Sequence, residues 1–254
     1  MVVAPGGPGV SARTAVVWEV LSAAIAEAQA APGRGSDPLQ VVDAGGGTGG
    51  FAVPLAEAGC TVTVVDPSPD SLAALARRAD ERGLGDRVRG LQGDLDDLPG
   101  LVDAASADVV LCHSVLQVVD DPAAALRAVA GVLRQGGRLS LLVGNRNAVV
   151  LARALAGRPD EAAHALTDPA GRWGPGDGVP RRWTPDQLVE LVGAAGLTVE
   201  QLHGVRVVAD LIPSAALELE PGAPAALLAL ERALADRPPF RDLATSLHVL
   251  ALRR

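Results

Sequence analysis

The chain has 254 residues, enough to bury one large core, and 48% of them are apolar against 20% charged, the balance of an ordinary globular domain. A formal net charge of −8 argues against a surface that coats nucleic acid broadly and leaves room only for a local basic patch. No apolar run approaches the roughly 18 residues of a membrane-crossing helix, and two cysteines and four scattered histidines offer no metal cluster.

Residues 1–10 are rich in Pro and Gly and carry no charge, unlike a leader with a basic start and an apolar stretch, so they read as the flexible start of a cytoplasmic protein. Ser11 to Ala30 patterns as an amphipathic helix carrying Arg13 and Trp18, and Pro32 to Pro38 interrupts it. Leu39, Val41 and Val42 form a short apolar run that ends in Asp43 and then in five glycines within six positions, from Gly45 to Gly50. This reads as a buried strand, a tight turn and a helix from about Phe51 to Ala58 with Gly59 at its C-terminal cap. Glycines in the turn permit positive φ and let a ligand approach the backbone without meeting Cβ atoms. Cys60, which follows, and Cys112 both sit in or beside apolar runs and read as buried, reduced thiols.

Thr61 to Val65 is a β-branched second strand ending at Asp66, Pro69 to Arg82 a helix closed by Gly83 and Gly85, and Arg87 to Leu91 a weaker strand leading to Gly93 and Asp94. Asp108 to His113 reads as a fourth strand and Arg138 to Val143 as a fifth. Between them Asp121 to Leu133 is a helix, capped by Asp120 or Asp121, with Pro122 in its first turn. Five strand–helix alternations with nearly continuous apolar strands predict an α/β fold, its parallel sheet covered on both faces. Beyond Gly144 the alternation stops. Asn147 to Leu155 reads as a short helix, Thr167 to Arg182 as an irregular stretch of Gly, Pro and Arg, and Thr184 as the cap of a helix to Ala195. Leu197 to Ala209 is extended, Pro224 to Asp236 helical, and Thr245 to Leu252 a last strand.

Gly45, Gly47 and Gly50 satisfy G-x-G-x-x-G, the dinucleotide fingerprint, which admits a nicotinamide cofactor. The stretch from Asp43 to Gly49 also satisfies D-x-G-x-G-x-G. A carboxylate there repels a pyrophosphate and suits the ammonium of an amino-acid moiety. Asp66, at the tip of the second strand, is placed to accept both hydroxyls of a ribose, and Asp94, after the third, to accept from an adenine amino group. Singly, each of these acids is equally a turn or cap residue. As an ordered set above a glycine floor, the three acids favour S-adenosylmethionine over NAD.

On the glycine motif, Asp66, the Gly93–Asp94 pair and the turn Leu133 to Gly137, the chain resembles class I S-adenosylmethionine-dependent methyltransferases over nearly its whole length. Within them it is most similar to the tRNA 5-carboxymethoxyuridine methyltransferase family, which converts the carboxylate of a modified wobble uridine to its methyl ester. Arg13 with Trp18, Val42 to Gly47, Asp108 to Leu116 with His113, Arg138 to Leu141 followed by Asn145, Gly204 to Val207 and Leu247 to Val249 carry that likeness. The resemblance implies a doubly wound, mostly parallel seven-stranded sheet with helices on both faces. The domain would run over residues 11–254, with insertions near 144–183 and 210–240 forming a lid over the acceptor.

It further implies S-adenosylmethionine as cofactor. Arg13 would hold its carboxylate, and Asp43 with Gly45, Gly46 and Gly47 would line its methionine part. Asp66 would bind the ribose, Asp94, Leu95 and Asp96 would border the adenine, and His113 would lie against the cofactor. Arg206 would face the acceptor and pair with its carboxylate. A tRNA partner would meet the local patch of Arg172, Arg181 and Arg182.

Methyl transfer from a sulfonium is an in-line displacement that requires no metal, and the protein contributes alignment and exclusion of water. A carboxylate acceptor is already ionised at neutral pH and needs no general base. A phenol, amine or hydroxyl acceptor would instead make His113 the candidate base. Trp173 and Trp183 flank Arg181 and Arg182, where they either stack on a nucleobase or anchor a loop. Two other readings stay open: an O- or N-methyltransferase for a small natural product, with residues 144–182 as a lid, and a non-catalytic cofactor-binding protein that kept the glycine loop.

Overall fold

The computed structural model describes residues 14–31, 35–213 and 221–254; the flexible start and Arg13 expected from the sequence lie outside them. Seven strands, β1 (Gln40–Ala44), β2 (Thr61–Asp66), β3 (Val88–Gln92), β4 (Ala107–His113), β5 (Leu133–Gly144), β6 (Leu197–Val205) and β7 (Ser246–Arg253), form one sheet. Their order is β3-β2-β1-β4-β5-β7-β6. The first five pair in parallel, and β7 runs antiparallel to both β5 and β6. The alternation predicts the parallel part of this sheet, and its doubly wound, mostly parallel seven-stranded form is the one the resemblance implies.

Alternation along each strand sends its side chains into two cores. On one face Val41, Val62, Val64, Val109 and Leu111 pack under α1 (Ala15–Gln29) and α2 (Ala52–Glu57), through Leu21, Ile25, Val53 and Leu55, with Leu75 of α3 (Pro69–Glu81) closing the same core. On the other face Val42, Ala44, Val110, Leu139, Leu141 and Val249 pack against α4 (Leu98–Leu101), α5 (Pro122–Val132) and α8 (Pro185–Ala194). The apolar spacing of α5, with Ala125, Leu126, Val129 and Val132 buried, is that of a helix with one face inward. Asp121 caps it by accepting from the amides of Ala123 and Ala124, and Thr184 closes a capping box with Gln187 at the head of α8. Both thiols, Cys60 and Cys112, are buried as expected.

The remaining helices are α6 (Arg146–Leu155), α7 (Pro159–Thr167), α9 (Ala223–Leu234) and α10 (Phe240–Leu243). Three helices have no counterpart in the sequence reading. Two of them, α4 and α10, are single turns of four residues, too short to display a period. The third, α7, buries only Ala162 and Ala165, small residues that leave no apolar stripe to read. Strand β5 also begins earlier than expected, because Leu133 pairs with Ala107 ahead of an irregularity in the register.

No described helix is long and apolar enough to cross a membrane.

Candidate functional site

The strand order reverses between β1 and β4, and ligands of open α/β sheets bind at the carboxyl ends of the strands at such a point. The glycine loop follows β1 there. Gly45, Gly47 and Gly49 adopt positive φ of 75°, 54° and 81°, which L side chains rarely occupy. A Cβ on Gly45 would collide with a methyl of Val115, and one on Gly46 would stand 2.5 Å from the Asp43 carboxylate. The loop is therefore closed to side chains from below. The Gly45 amide donates to the carbonyl of Val65, which ties the tip of β1 to that of β2.

Asp43 is buried beneath this loop, and its Oδ2 has no hydrogen-bond partner. Burial, and then the charge of Asp66, push its carboxyl up to about 7. An unsatisfied buried carboxylate oxygen is costly, so this atom calls for a cationic or hydrogen-bonding ligand. Asp66 is also buried. Its Oδ2 accepts from the Gly47 amide at 2.9 Å and its Oδ1 from the Ser68 amide at 2.9 Å. Each carboxylate oxygen offers two lone pairs, so the two amides fix its orientation while leaving acceptor capacity.

The tip of β3 is drawn to the same place by the Gly93 amide, which donates to the Asp66 carbonyl. Asp94 is exposed and turns the chain through its Oδ1, which accepts from the Asp96 amide. Leu95 is buried in the core and Asp96 is exposed. The three acids thus occupy three neighbouring strand tips, with Asp94 doing turn work as well.

His113 ends β4. Asp43 pairs with Leu111 and Ala44 with Cys112, so His113 stands one step beyond, level with the glycine loop. Its ring meets Phe51 edge-on at 4.6 Å between centroids, and Phe51 in turn stacks on Trp18 at 4.6 Å. Its Nε2 lies 2.9 Å from the hydroxyl of Ser140 on β5, which lies 2.8 Å from Nε2 of His248 on β7. Nδ1 of His113 has no partner. Burial pushes the His113 imidazole down to about 3, and burial with the neighbouring His113 and His203 pushes His248 well below the ordinary histidine range. Both rings are neutral at physiological pH.

Beyond β5, residues of α6, Arg182, the turn at 207–211 and α10 line one groove. Arg206 adopts φ of 61°, a strained conformation for a side-chain-bearing residue. Its guanidinium donates to the Ser246 hydroxyl at 3.0 Å and pairs with Asp210 at 3.3 Å. The strained turn is held by Glu231 of α9, fully buried, whose carboxylate accepts from three successive amides, Val207, Val208 and Ala209, at 2.7–2.9 Å. Such a run of amides is a natural anion nest.

Arg182 is bidentate to Asp177 at 2.6 and 3.0 Å. Burial raises the Asp177 carboxyl, but Arg182 and the amides of Trp173 and Val179 outweigh it and bring the group down to about 2. Arg181 donates to the Val119 carbonyl, and Nε of Arg172 is buried without a partner. The expected basic patch is therefore largely turned inward. Trp183 is buried in the core and Trp173 carries the Arg153 guanidinium 3.8 Å above its ring, so both tryptophans anchor loops. Arg182 also lines that groove, of 430 Å³, whose walls include Leu151, Leu155, Leu211, Phe240 and Leu243.

Residues 42–141 match the family model described as a methyltransferase domain. The chain is 29% identical to the tRNA 5-carboxymethoxyuridine methyltransferase of Escherichia coli (strain K12) over 239 residues, covering 94% of this chain and 87% of that one. It is 33% identical to the ubiquinone biosynthesis O-methyltransferase of Methylocella silvestris over 174 residues, 68% of this chain and 63% of the relative. Among solved structures, an S-adenosylmethionine-dependent methyltransferase from Mesorhizobium loti superposes with a TM-score of 0.59 at 21% identity, covering 93% of this chain and 97% of that one. A geranyl diphosphate methyltransferase in complex with S-adenosylmethionine does so with a TM-score of 0.56 at 18% identity, covering 99% and 94%. The chain is an S-adenosylmethionine-dependent methyltransferase. The nicotinamide and non-catalytic readings fall away.

S-adenosylmethionine is its cofactor, and the residues present fit it. The methyltransferase offers a loop without side chains where a cofactor must come close, an orphaned carboxylate oxygen below it, and an oriented second carboxylate on the next strand. Sequence reasoning missed the Ser140–His248 pair and the aromatic stack behind His113. Ser140 in an otherwise apolar strand and His248 between Leu247 and Val249 were the available signals. Neither marks a site without knowing which strands are neighbours.

Proposed function

We propose that this methyltransferase esterifies a carboxylate, and that its acceptor is the 5-carboxymethoxy group of a wobble uridine in tRNA. The observation that carries the first half is the state of His113. Its imidazole is neutral, pushed down to about 3, and its Nε2 is committed to Ser140, which makes it a poor base at neutral pH. An acceptor that arrives already ionised requires no base, and a carboxylate is such an acceptor. The second half is supported by the likeness to the E. coli tRNA enzyme over nearly the whole of both chains.

The cofactor supplies an electrophilic methyl on a sulfonium, open to in-line displacement. On this reading Asp43 and the loop backbone from Gly45 to Gly47 receive the amino-acid end, Asp66 takes the ribose, and Leu95 with Asp96 borders the adenine. Arg206, held by Ser246 and Asp210, orients the acceptor carboxylate through the planar fork of its guanidinium. The segment 144–183 and the described parts of 210–240 (residues 214–220 lie outside them) act as the lid that keeps water from the displacement.

A second reading, a small carboxylic acid with an apolar body, draws support from the groove of leucines and Phe240 and from the inward-turned Arg181 and Arg182. Incubating the protein and S-adenosylmethionine with tRNA that carries 5-carboxymethoxyuridine, followed by nucleoside mass spectrometry, separates the two. Appearance of the methyl ester supports tRNA. Untouched free acid, with turnover of small apolar carboxylates, sinks the tRNA reading and leaves the carboxylate chemistry standing.

A further inference from the structure

Where β4 stops, β5 runs on. The parallel pairing of the two strands ends with His113 opposite Leu142. Ser114 then turns the chain away with φ of 63°, so the amide of Gly144, two residues past Leu142, meets no strand on that side. A side chain stands in for the backbone: Oε1 of Gln117 accepts from the Gly144 amide at 3.2 Å.

That one bond fixes which way the carboxamide faces. A backbone N–H can only donate, so it must meet the carboxamide oxygen and not its nitrogen. The Nε2 end, with two N–H donors, is left over. It has no hydrogen-bond partner among the described residues. Nor is it one of the enclosed polar atoms that lack a partner, since Gln117 is only half-buried. These donors are open to a ligand.

Gln117 stands between the glycine loop and Arg206. Val115, two residues before it, lies so close to Gly45 that a Cβ there would collide with its methyl. The turn at 114–118 therefore leans on the glycine loop at one end. At the other end Gly144 pairs with Ser246 of β7, whose hydroxyl accepts from Arg206. Three strand spacings, about 14 Å, separate the tip of β1 from the start of β7, and the turn that carries Gln117 fills the middle of that span. Arg181 and Arg182 border it: Arg181 donates to the Val119 carbonyl at 2.8 Å, and a Cβ on Gly144 would lie 3.3 Å from Cγ of Arg182.

We propose that Gln117 is an acceptor-binding residue, whose Nε2–H groups, turned outward by the Gly144 amide, donate to an oxygen of the carboxylate being methylated. This role rests on the carboxylate reading above and adds a residue to it. In that reaction a carboxylate oxygen forms the new C–O bond with its own electron pair. The C–S bond breaks, its pair stays on sulfur as a neutral thioether, and no proton moves. A neutral carboxamide suits such a step, because it holds the anion without taking or giving a proton.

Gln117→Glu separates this role from a purely structural one. The substituted carboxylate keeps an oxygen for the Gly144 amide but replaces the donors with a negative charge. Methyl-ester formation is followed by mass spectrometry with two acceptors, tRNA carrying 5-carboxymethoxyuridine and octanoate. For whichever acid the wild type esterifies, the KM of Gln117→Glu should rise by about 10- to 100-fold, the range of a lost hydrogen bond to a charged group. Its Kd for S-adenosylmethionine in calorimetry and its Tm should match the wild type. Gln117→Leu, which keeps neither polar atom, should show both a raised KM and a lowered Tm. A wild-type KM in Gln117→Glu, with only Gln117→Leu impaired, would make the side chain a strand cap and overturn the proposal while the carboxylate reading stands. Esterification of neither acid by the wild type overturns both.

Discussion

Replacing Asp43 with asparagine tests the cofactor site through stability before any cofactor is added. The Asp43 carboxyl is raised from 3.8 to about 7 by burial and by Asp66. Between those pH values the folded chain holds a proton that the unfolded chain has released, so the wild type loses stability as pH rises from about 4 to about 7 and is level above that. Three units at about 1.4 kcal/mol each amount to about 4 kcal/mol for this fully enclosed group. An asparagine cannot ionise, so the stability of Asp43→Asn relative to the wild type should improve by about 4 kcal/mol between pH 4 and pH 8. Its own buried amide sets the starting point about 1–3 kcal/mol lower. Urea titrations of both proteins without cofactor, extrapolated linearly at each pH, measure the difference.

Adding S-adenosylmethionine should then reverse the ranking. The wild-type carboxylate gains a cation, whereas the neutral amide of Asp43→Asn cannot pair with one, and affinity should fall on the order of 100-fold. A stability difference that stays constant across pH would refute the claim that Asp43 is buried with an unmet charge. An unchanged affinity would refute its role toward the ammonium.

Gly46→Ala should abolish measurable S-adenosylmethionine binding in calorimetry, because its Cβ would meet Cγ and Oδ2 of Asp43 at 2.5 Å. Glu231→Gln keeps one acceptor oxygen for three amides, so unfolding should need about 2–3 kcal/mol less. Its KM for the acceptor should rise while the cofactor Kd holds, since the amides it releases flank Arg206. Asp121→Ala removes the cap of α5 and should lower Tm by about 2–4 °C, the equivalent of about 1 kcal/mol, with turnover unchanged.

The part of the fold that bears the glycine loop was legible in the sequence because its signals are local. Asp43 to Gly50 and Asp66 each close a short apolar strand, Asp94 follows a weaker one, and strand–turn–helix units announce themselves by a change of period. The parallel order needs no more than that. The part beyond β5 was less legible because its meaning depends on partners far along the chain. Arg206 was read as facing the acceptor, yet its surroundings are set by Asp210, Ser246 and, through the backbone, Glu231. Arg181 and Arg182 looked like a charged patch until Val119 and Asp177 took them up. Thr184, in contrast, was identified as a cap because everything it needs lies three residues away.

The position of β7 sets an order of assembly. It runs between β5 and β6 and is the hydrogen-bonded neighbour of both, although it is the last strand in sequence. The five strands that bear the glycine loop and the acidic tips can zip together as they emerge during synthesis. Strand β6, with Arg206 just past its end, has no edge to join until β7 arrives. A nascent chain would thus possess its glycine loop and acidic strand tips well before the turn at Arg206 has its neighbours.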